Sequence, residues 1–251
     1  MSLMKPKYRY FEGCSNTLIC GSIGILSQII ECFGRQRIIS LPLVCASILG
    51  KHLIMQKIVV LNSKGGSGKT TLTTNLVSSL VCSGTKPALI DLDPQGSSTR
   101  WLANRPASVP AIAGTEGYAQ SLQVTKTWLL RTPENCDLAV IDTPASLSRS
   151  DLVSATRGAD AILIPVMPSD IDIHAAMKCI SDLLLVAKIR RPDRKIGIVA
   201  NRVRTNTRVY TKLQKFLASL DIPLIATLRD SQNYTRAFEF GLGIHEMPYS
   251  Q

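Results

Sequence analysis

From Met55 onward, short runs of apolar residues recur along the chain, at Lys57–Leu61, Ala88–Leu92, Leu138–Ile141, Ala161–Val166, Ile196–Ala200 and Leu224–Leu228. Polar residues do not alternate within these runs, so a strand made from one has no side suited to water. Helical spacing fills the gaps, as in Leu72, Leu76 and Leu80 with polar residues between them. Apolar strands separated by amphipathic helices predict a doubly wound α/β domain, a mainly parallel sheet with helices on both faces. No internal repeat or low-complexity tract interrupts it.

Residues 1–54 have a different texture, with no clean period of 2 or 3.6, no Asp, and four of the seven cysteines. A boundary near Met55 follows, dividing a poorly defined N-terminal extension (1–54) from the globular domain (55–251). The extension is either an added segment or the product of a start placed too far upstream, with Met55 the initiator. The second reading is favoured, and nothing in the extension resembles a helix-turn-helix.

At 251 residues and 45% apolar side chains, the chain can bury one full core. The cysteines, at 14, 20, 32, 45, 82, 136 and 179, form no CxxC pair and no metal spacing, which points to reduced thiols in the cytoplasm. The apolar stretches at 23–30 and 38–49 are broken by Gln28, Ser40, Pro42 and Ser47 and fall short of the roughly 20 residues a membrane span needs. Glu12 and the polar Cys14-Ser15-Asn16 stretch break the pattern of a secretory signal.

A net charge of +11 calls for an anionic partner, nucleic acid or membrane. Its distribution is uneven: residues 55–187 balance to zero, whereas residues 188–236 hold twelve bases against three acids. A clustered basic surface of this kind binds phosphate backbones with little sequence preference.

The strongest chemical signal follows the first strand: Lys64-Gly65-Gly66-Ser67-Gly68-Lys69-Thr70-Thr71, opening directly into a helix. Glycines let backbone N–H groups curl around phosphate oxygens, and the helix start adds its positive dipole end. Lys69 can then reach β and γ phosphates, and the Thr70 hydroxyl can ligate Mg²⁺. The segment departs from the generic phosphate loop by placing Ser63 at the first glycine position and a second lysine, Lys64, before the Gly-Gly pair.

This KGGxGK[ST] pattern is the deviant Walker A motif, and residues 55–247 resemble the ParA/MinD superfamily of P-loop ATPases. The resemblance implies ATP and Mg²⁺ as cofactors and slow hydrolysis stimulated by a partner. It also implies that Lys64 crosses a dimer interface to the other subunit's nucleotide. Asp91-Leu92-Asp93-Pro94-Gln95 resembles the family's DxDPQ segment, making Asp93 the candidate for orienting the attacking water and Asp91 the more structural of the two. Asp142-Thr143-Pro144-Ala145 reads as a Walker B segment in which Asp142 holds Mg²⁺ through water. Asn201 matches the Asn that contacts adenine, whose ring suits an amide by offering both donor and acceptor.

The resemblance further implies an ATP-dependent homodimer, on the nucleoid in the cytoplasm, that binds non-specific DNA through the C-terminal bases. It would position a plasmid, a chromosome or a protein organelle, aided by a ParB-like or other small stimulating protein. MinD-like members bind membrane through a basic amphipathic C-terminal helix, whereas this chain closes on Gly243–Gln251 without one, so no membrane partner is expected. A metabolic enzyme of the amidotransferase or synthetase type is the other alternative. It would consume a small molecule along with ATP. His52, His174 and His245 lie far apart in sequence and near no nucleophile motif, so they read as ordinary surface or packing residues.

Overall fold

The computed structural model describes residues 56–117, 135–190, 195–220 and 222–248. The extension at 1–54, the boundary at Met55, and Arg191 and Arg194 of the basic cluster lie outside the described residues.

Among the described residues, seven strands form one sheet in the order β3-β2-β4-β1-β5-β6-β7, and every neighbouring pair is parallel. They are β1 (Gln56–Val60), β2 (Pro87–Asp91), β3 (Ala113–Glu116), β4 (Leu138–Asp142), β5 (Ala161–Val166), β6 (Ile196–Val203) and β7 (Leu224–Arg229). The helices are α1 (Lys69–Cys82), α2 (Ser97–Ala103), α3 (Arg149–Thr156), α4 (Asp170–Leu185), α5 (Arg208–Ser219) and α6 (Asn233–Glu239), with a 3₁₀ turn at Ile244–Glu246. The expected doubly wound α/β fold is the one observed.

The sheet is covered on both sides because its strands are apolar on both sides. Val59, Ile141, Ile162 and Ile164 pack one face against Leu152 of α3, Ile173 and Ile180 of α4, and Leu213 and Leu217 of α5. Ile58, Val60, Val140 and Leu163 point the other way, onto Leu72, Leu76 and Leu80 of α1 and Trp101 of α2. Successive residues of one strand thus feed two separate cores, the period-2 geometry of a buried strand. Burying a large aliphatic side chain in either core is worth about 1.5–3 kcal/mol.

The strand order fixes where a ligand can sit. From β1 the chain moves outward to β2 and β3, returns to insert β4 between β1 and β2, then crosses to β5, β6 and β7 on the other side. Connections therefore leave the C-terminal ends of β1 and β4 in opposite directions, which opens a crevice there. Register sharpens the point, since Asp142 at the end of β4 pairs with Val60 on one side and with Asp91 on the other.

The closing segment is tied to the two helices that border the crevice. Trp101 Nε1 donates to the Leu242 carbonyl (3.1 Å), and the Ile244 N–H donates to Asn75 Oδ1 (2.8 Å). Arg105 and Glu246 form an ion pair at 2.6 Å with both side chains only 4% exposed, and the guanidinium stacks 5.3 Å from the Trp101 ring centre. Removing one member of such a pair leaves a buried charge uncompensated, a loss of about 3–5 kcal/mol.

Candidate functional site

Three helices start in the usual way, with a hydroxyl accepting from a first-turn N–H: Ser148 for α3, Ser169 for α4 and Thr207 for α5. Helix α1 does not. It starts after Gly68, with no side-chain cap and no acidic residue in its first turn. Its first N–H groups and its dipole are left to whatever binds the loop, as an anion site requires. Gly66 and Gly68 have φ of 72° and 93°, left-handed conformations that only glycine adopts without strain.

Position 68 has a second constraint, because a Cβ there would stand 2.0 Å from Asn201 Nδ2. Asn201 is buried, and its Nδ2 donates to the Ser67 carbonyl (2.9 Å) while its Oδ1 accepts from the Arg202 N–H (3.0 Å). Asn201 therefore fastens the phosphate loop to the end of β6. An amide has two N–H donors and two lone pairs on its oxygen, so these bonds leave one of each for a base.

Lys69 is buried and its Nζ donates to the Lys64 carbonyl (3.3 Å). Burial lowers its pKa from the ordinary lysine value, while Asp142 and Asp93 oppose that shift. Lys64 lies at the mouth of the loop, where its backbone N–H donates to Asn62 Oδ1 (3.0 Å) and its Nζ pairs with Asp172 Oδ1 (2.8 Å). Asn62 in turn donates to the Pro165 carbonyl (2.8 Å), linking the end of β1 to the end of β5.

Asp142 is 1% exposed, and burial raises its pKa to about 6 against the pull of the Ser98 and Thr70 hydroxyls. Ser98 donates to Oδ2, while Oδ1 is buried with no hydrogen-bond partner. A buried carboxylate with one oxygen unsatisfied, close to the Thr70 hydroxyl, is the donor set a hydrated Mg²⁺ takes. The residues fit the ion. Asp91 plays the structural part: Oδ2 accepts from the Thr99 N–H (2.9 Å) in the first turn of α2, and Oδ1 accepts from the Asp93 N–H (3.0 Å). Asp93 is part-exposed on the turn that follows, where its Oδ1 accepts from the Gln95 N–H (3.0 Å).

The structure thus brings Lys64, Gly65, Gly66, Ser67, Gly68, Lys69, Thr70, Thr71, Asp93, Asp142 and Asn201 to one edge of the sheet. Asn62, Ser98 and Asp172 also belong there and carry no local sequence signature. Among the exposed bases of the C-terminal third, Arg204 is paired with Asp230 (2.8 Å) and Lys212 with Asp170 (2.6 Å), while Arg208 and Lys215 are exposed on α5.

A parallel sheet with an uncapped, glycine-opened first helix and acidic neighbours defines a phosphate-binding nucleotide fold. Residues 58–244 match the CobQ/CobB/MinD/ParA nucleotide binding domain, and the chain belongs to that family. It is 29% identical over 195 residues to "Maintenance of carboxysome distribution protein A" of Halothiobacillus neapolitanus, covering 76% of this chain and 87% of the relative. It is 29% identical over 209 residues to "Protein ParA" of Rhizobium radiobacter, covering 78% and 88%. Among solved structures, an ATP complex of Cyanothece McdA superposes with a TM-score of 0.60 at 18% identity, covering 76% of this chain and 90% of the other. The MinC:MinD complex of Aquifex aeolicus gives 0.57 at 20% identity, covering 75% and 87%. These structures share the fold. No helix among the described residues is long and apolar enough to cross a membrane.

Proposed function

We propose that residues 55–251 form a nucleotide-switched positioning ATPase. It binds ATP with Mg²⁺, pairs with a second copy in that state, and then holds non-specific DNA through its C-terminal bases while a cargo is spaced or segregated. The observation that carries this reading is the second lysine: Lys64 stands at the mouth of the same loop as Lys69, held by the single carboxylate of Asp172. A cation placed there can reach phosphates of a facing subunit, which couples pairing to the γ-phosphate. The relatives named for carboxysome distribution and for ParA support a positioning role.

In this mechanism the N–H groups of Gly65 to Thr71 cradle the phosphates and Lys69 contacts the β and γ groups. Thr70 and Asp142 would hold Mg²⁺, which would supply charge neutralisation at the phosphates. Asp93 orients the attacking water on the turn that Asp91 anchors. Asn201 steadies the loop and turns its remaining donor and acceptor to adenine. Lys64 leaves Asp172 for the partner's nucleotide, and hydrolysis reverses the pairing. A small ParB-like stimulating protein speeds turnover, and the working location is the nucleoid. Residues 1–54 are an extension outside this machinery.

Sedimentation velocity with Mg²⁺ and either ATP or ADP tests this reading. A dimer with ATP, a monomer with ADP, and loss of the dimer in Lys64→Ala are expected. A chain that stays monomeric in ATP would sink it.

A further inference from the structure

Cys82, the last residue of α1, stands beside the closing 3₁₀ turn although 164 positions separate it from Glu246. The Cys82 thiol, an imidazole nitrogen of His245 and a carboxylate oxygen of Glu246 all lie within 4.8 Å of one another. Cys82 Sγ donates to Glu246 Oε1 at 3.4 Å. Donors around a tetrahedral zinc ion stand about 3.5 Å apart, given zinc–ligand distances of ~2.0–2.3 Å. Cys82 Sγ and Glu246 Oε1 already stand at about that spacing.

The surroundings hold the other two ligands in place. Glu246 accepts from Arg105 at both oxygens (2.6 and 3.0 Å) and from the Gly243 N–H at Oε2 (2.7 Å), which fixes the carboxylate plane. Ser78 Oγ lies 3.4 Å from His245 Nε2, so the ring is oriented by a hydroxyl of α1. Ligating carboxylates and imidazoles are typically held by such outer contacts. One thiolate, one imidazole and one carboxylate select Zn²⁺ over the hard, oxygen-seeking Mg²⁺ of the phosphate loop.

We propose that Cys82, His245 and Glu246 form a Zn²⁺ site, with water as fourth ligand, separate from the nucleotide site. On binding, the Cys82 S–H bond breaks, its proton passes to solvent and an S–Zn bond forms. Imidazole and carboxylate contribute lone pairs, and nothing is oxidised or reduced. The ion fastens the closing segment to the far end of α1, the helix that begins at the phosphate loop. It adds a metal crosslink to the bonds that Trp101 and Asn75 already make to that segment.

The test uses the full chain, stripped with a chelator and titrated with Co²⁺ and then Zn²⁺. The expected result is a thiolate-to-cobalt charge-transfer absorption that Zn²⁺ displaces, and a thermal midpoint that rises with zinc. Cys82→Ser and His245→Ala should each lose one equivalent of metal, that absorption and the zinc-dependent rise in midpoint, with nucleotide affinity unchanged. Retention of the wild-type zinc stoichiometry and cobalt spectrum by both variants, or no zinc uptake by the wild type, would overturn the proposal.

Discussion

Lys64 Nζ lies 2.8 Å from Asp172 Oδ1, a carboxylate in the first turn of α4 whose side chain is 3% exposed against 30% for the lysine. That oxygen has no hydrogen-bond partner besides this ion pair. The other carboxylate oxygen, Oδ2, accepts from Ser169 Oγ, so the carboxylate is pinned and the more exposed lysine is the member free to swing. A lysine that serves another subunit must first leave this anion. Under the proposed function the pair therefore opposes dimer formation.

Asp172→Asn keeps the shape and the Ser169 contact while removing the charge. A pair with one partly exposed member is worth about 1 kcal/mol or less. ATP-dependent dimerisation should therefore strengthen by up to about fivefold in sedimentation experiments. Weaker dimerisation in Asp172→Asn would show that the ion pair does not hold Lys64 back.

Gly68 and Asn201 are coupled, because a methyl group at 68 collides with the Asn201 amide and the backbone there has φ of 93°. Gly68→Ala should cost about 1–3 kcal/mol of stability from backbone strain alone and abolish measurable nucleotide binding. Asn201→Ala should weaken binding by losing the bond to the Ser67 carbonyl. In the double variant the clash is gone but the strain remains, so the effects should be less than additive in a thermodynamic cycle. Strict additivity would contradict the contact.

Asp142 is a buried carboxylate whose Oδ1 has no hydrogen-bond partner, which costs stability. In Mg²⁺-free buffer at neutral pH, Asp142→Asn should melt higher than the wild type by differential scanning calorimetry. The same variant should lose Mg²⁺-dependent ATP turnover by about a hundredfold or more. A lower melting point with turnover intact would remove Asp142 from the proposed metal site.

Much of this is legible in the sequence, for physical reasons that particular residues illustrate. Ala161–Val166 reads as a strand because all six residues are buried, and the phosphate loop reads as a loop because its chemistry is local. Strand β3, Ala113–Glu116, gives no such signal because it is a four-residue edge strand of small and polar residues, alternately half-buried and exposed. Strand β6 runs past the expected Ala200 to Val203, through irregular pairing with β7 and a left-handed Arg202. That extension carries Asn201 under the loop. Asn62, Ser98 and Asp172 carry no signal, since their partners are set by register and helix packing. Likewise, Cys82 and His245 meet only because the closing segment folds back onto α1.

Lys57 supplies a pH test of the core beneath the site. Burial lowers its pKa from 10.5 to about 8, the Arg157 charge adds to the shift, and Asp160 opposes it. Its folded value lies below the unfolded one, so the unfolded chain holds more protons between these limits and stability from this group rises with pH across them. Wild-type stability measured by denaturant unfolding should thus gain, relative to Lys57→Met, as pH goes from about 8 to about 10. Its Nζ donates to the Arg157 carbonyl (3.0 Å), which favours the charged form, so the gain should be about 1–2 kcal/mol. A difference that does not change with pH would contradict the shift.

The most direct test of the central claim is co-sedimentation of the full chain with non-specific DNA in ATP, in ADP and without nucleotide, beside Lys64→Ala and Asp93→Ala. The account predicts DNA binding in ATP alone, steeply weakened by salt, lost in Lys64→Ala and retained in Asp93→Ala, which pairs but cannot turn over. Equal binding in all nucleotide states, or none in any, would contradict it.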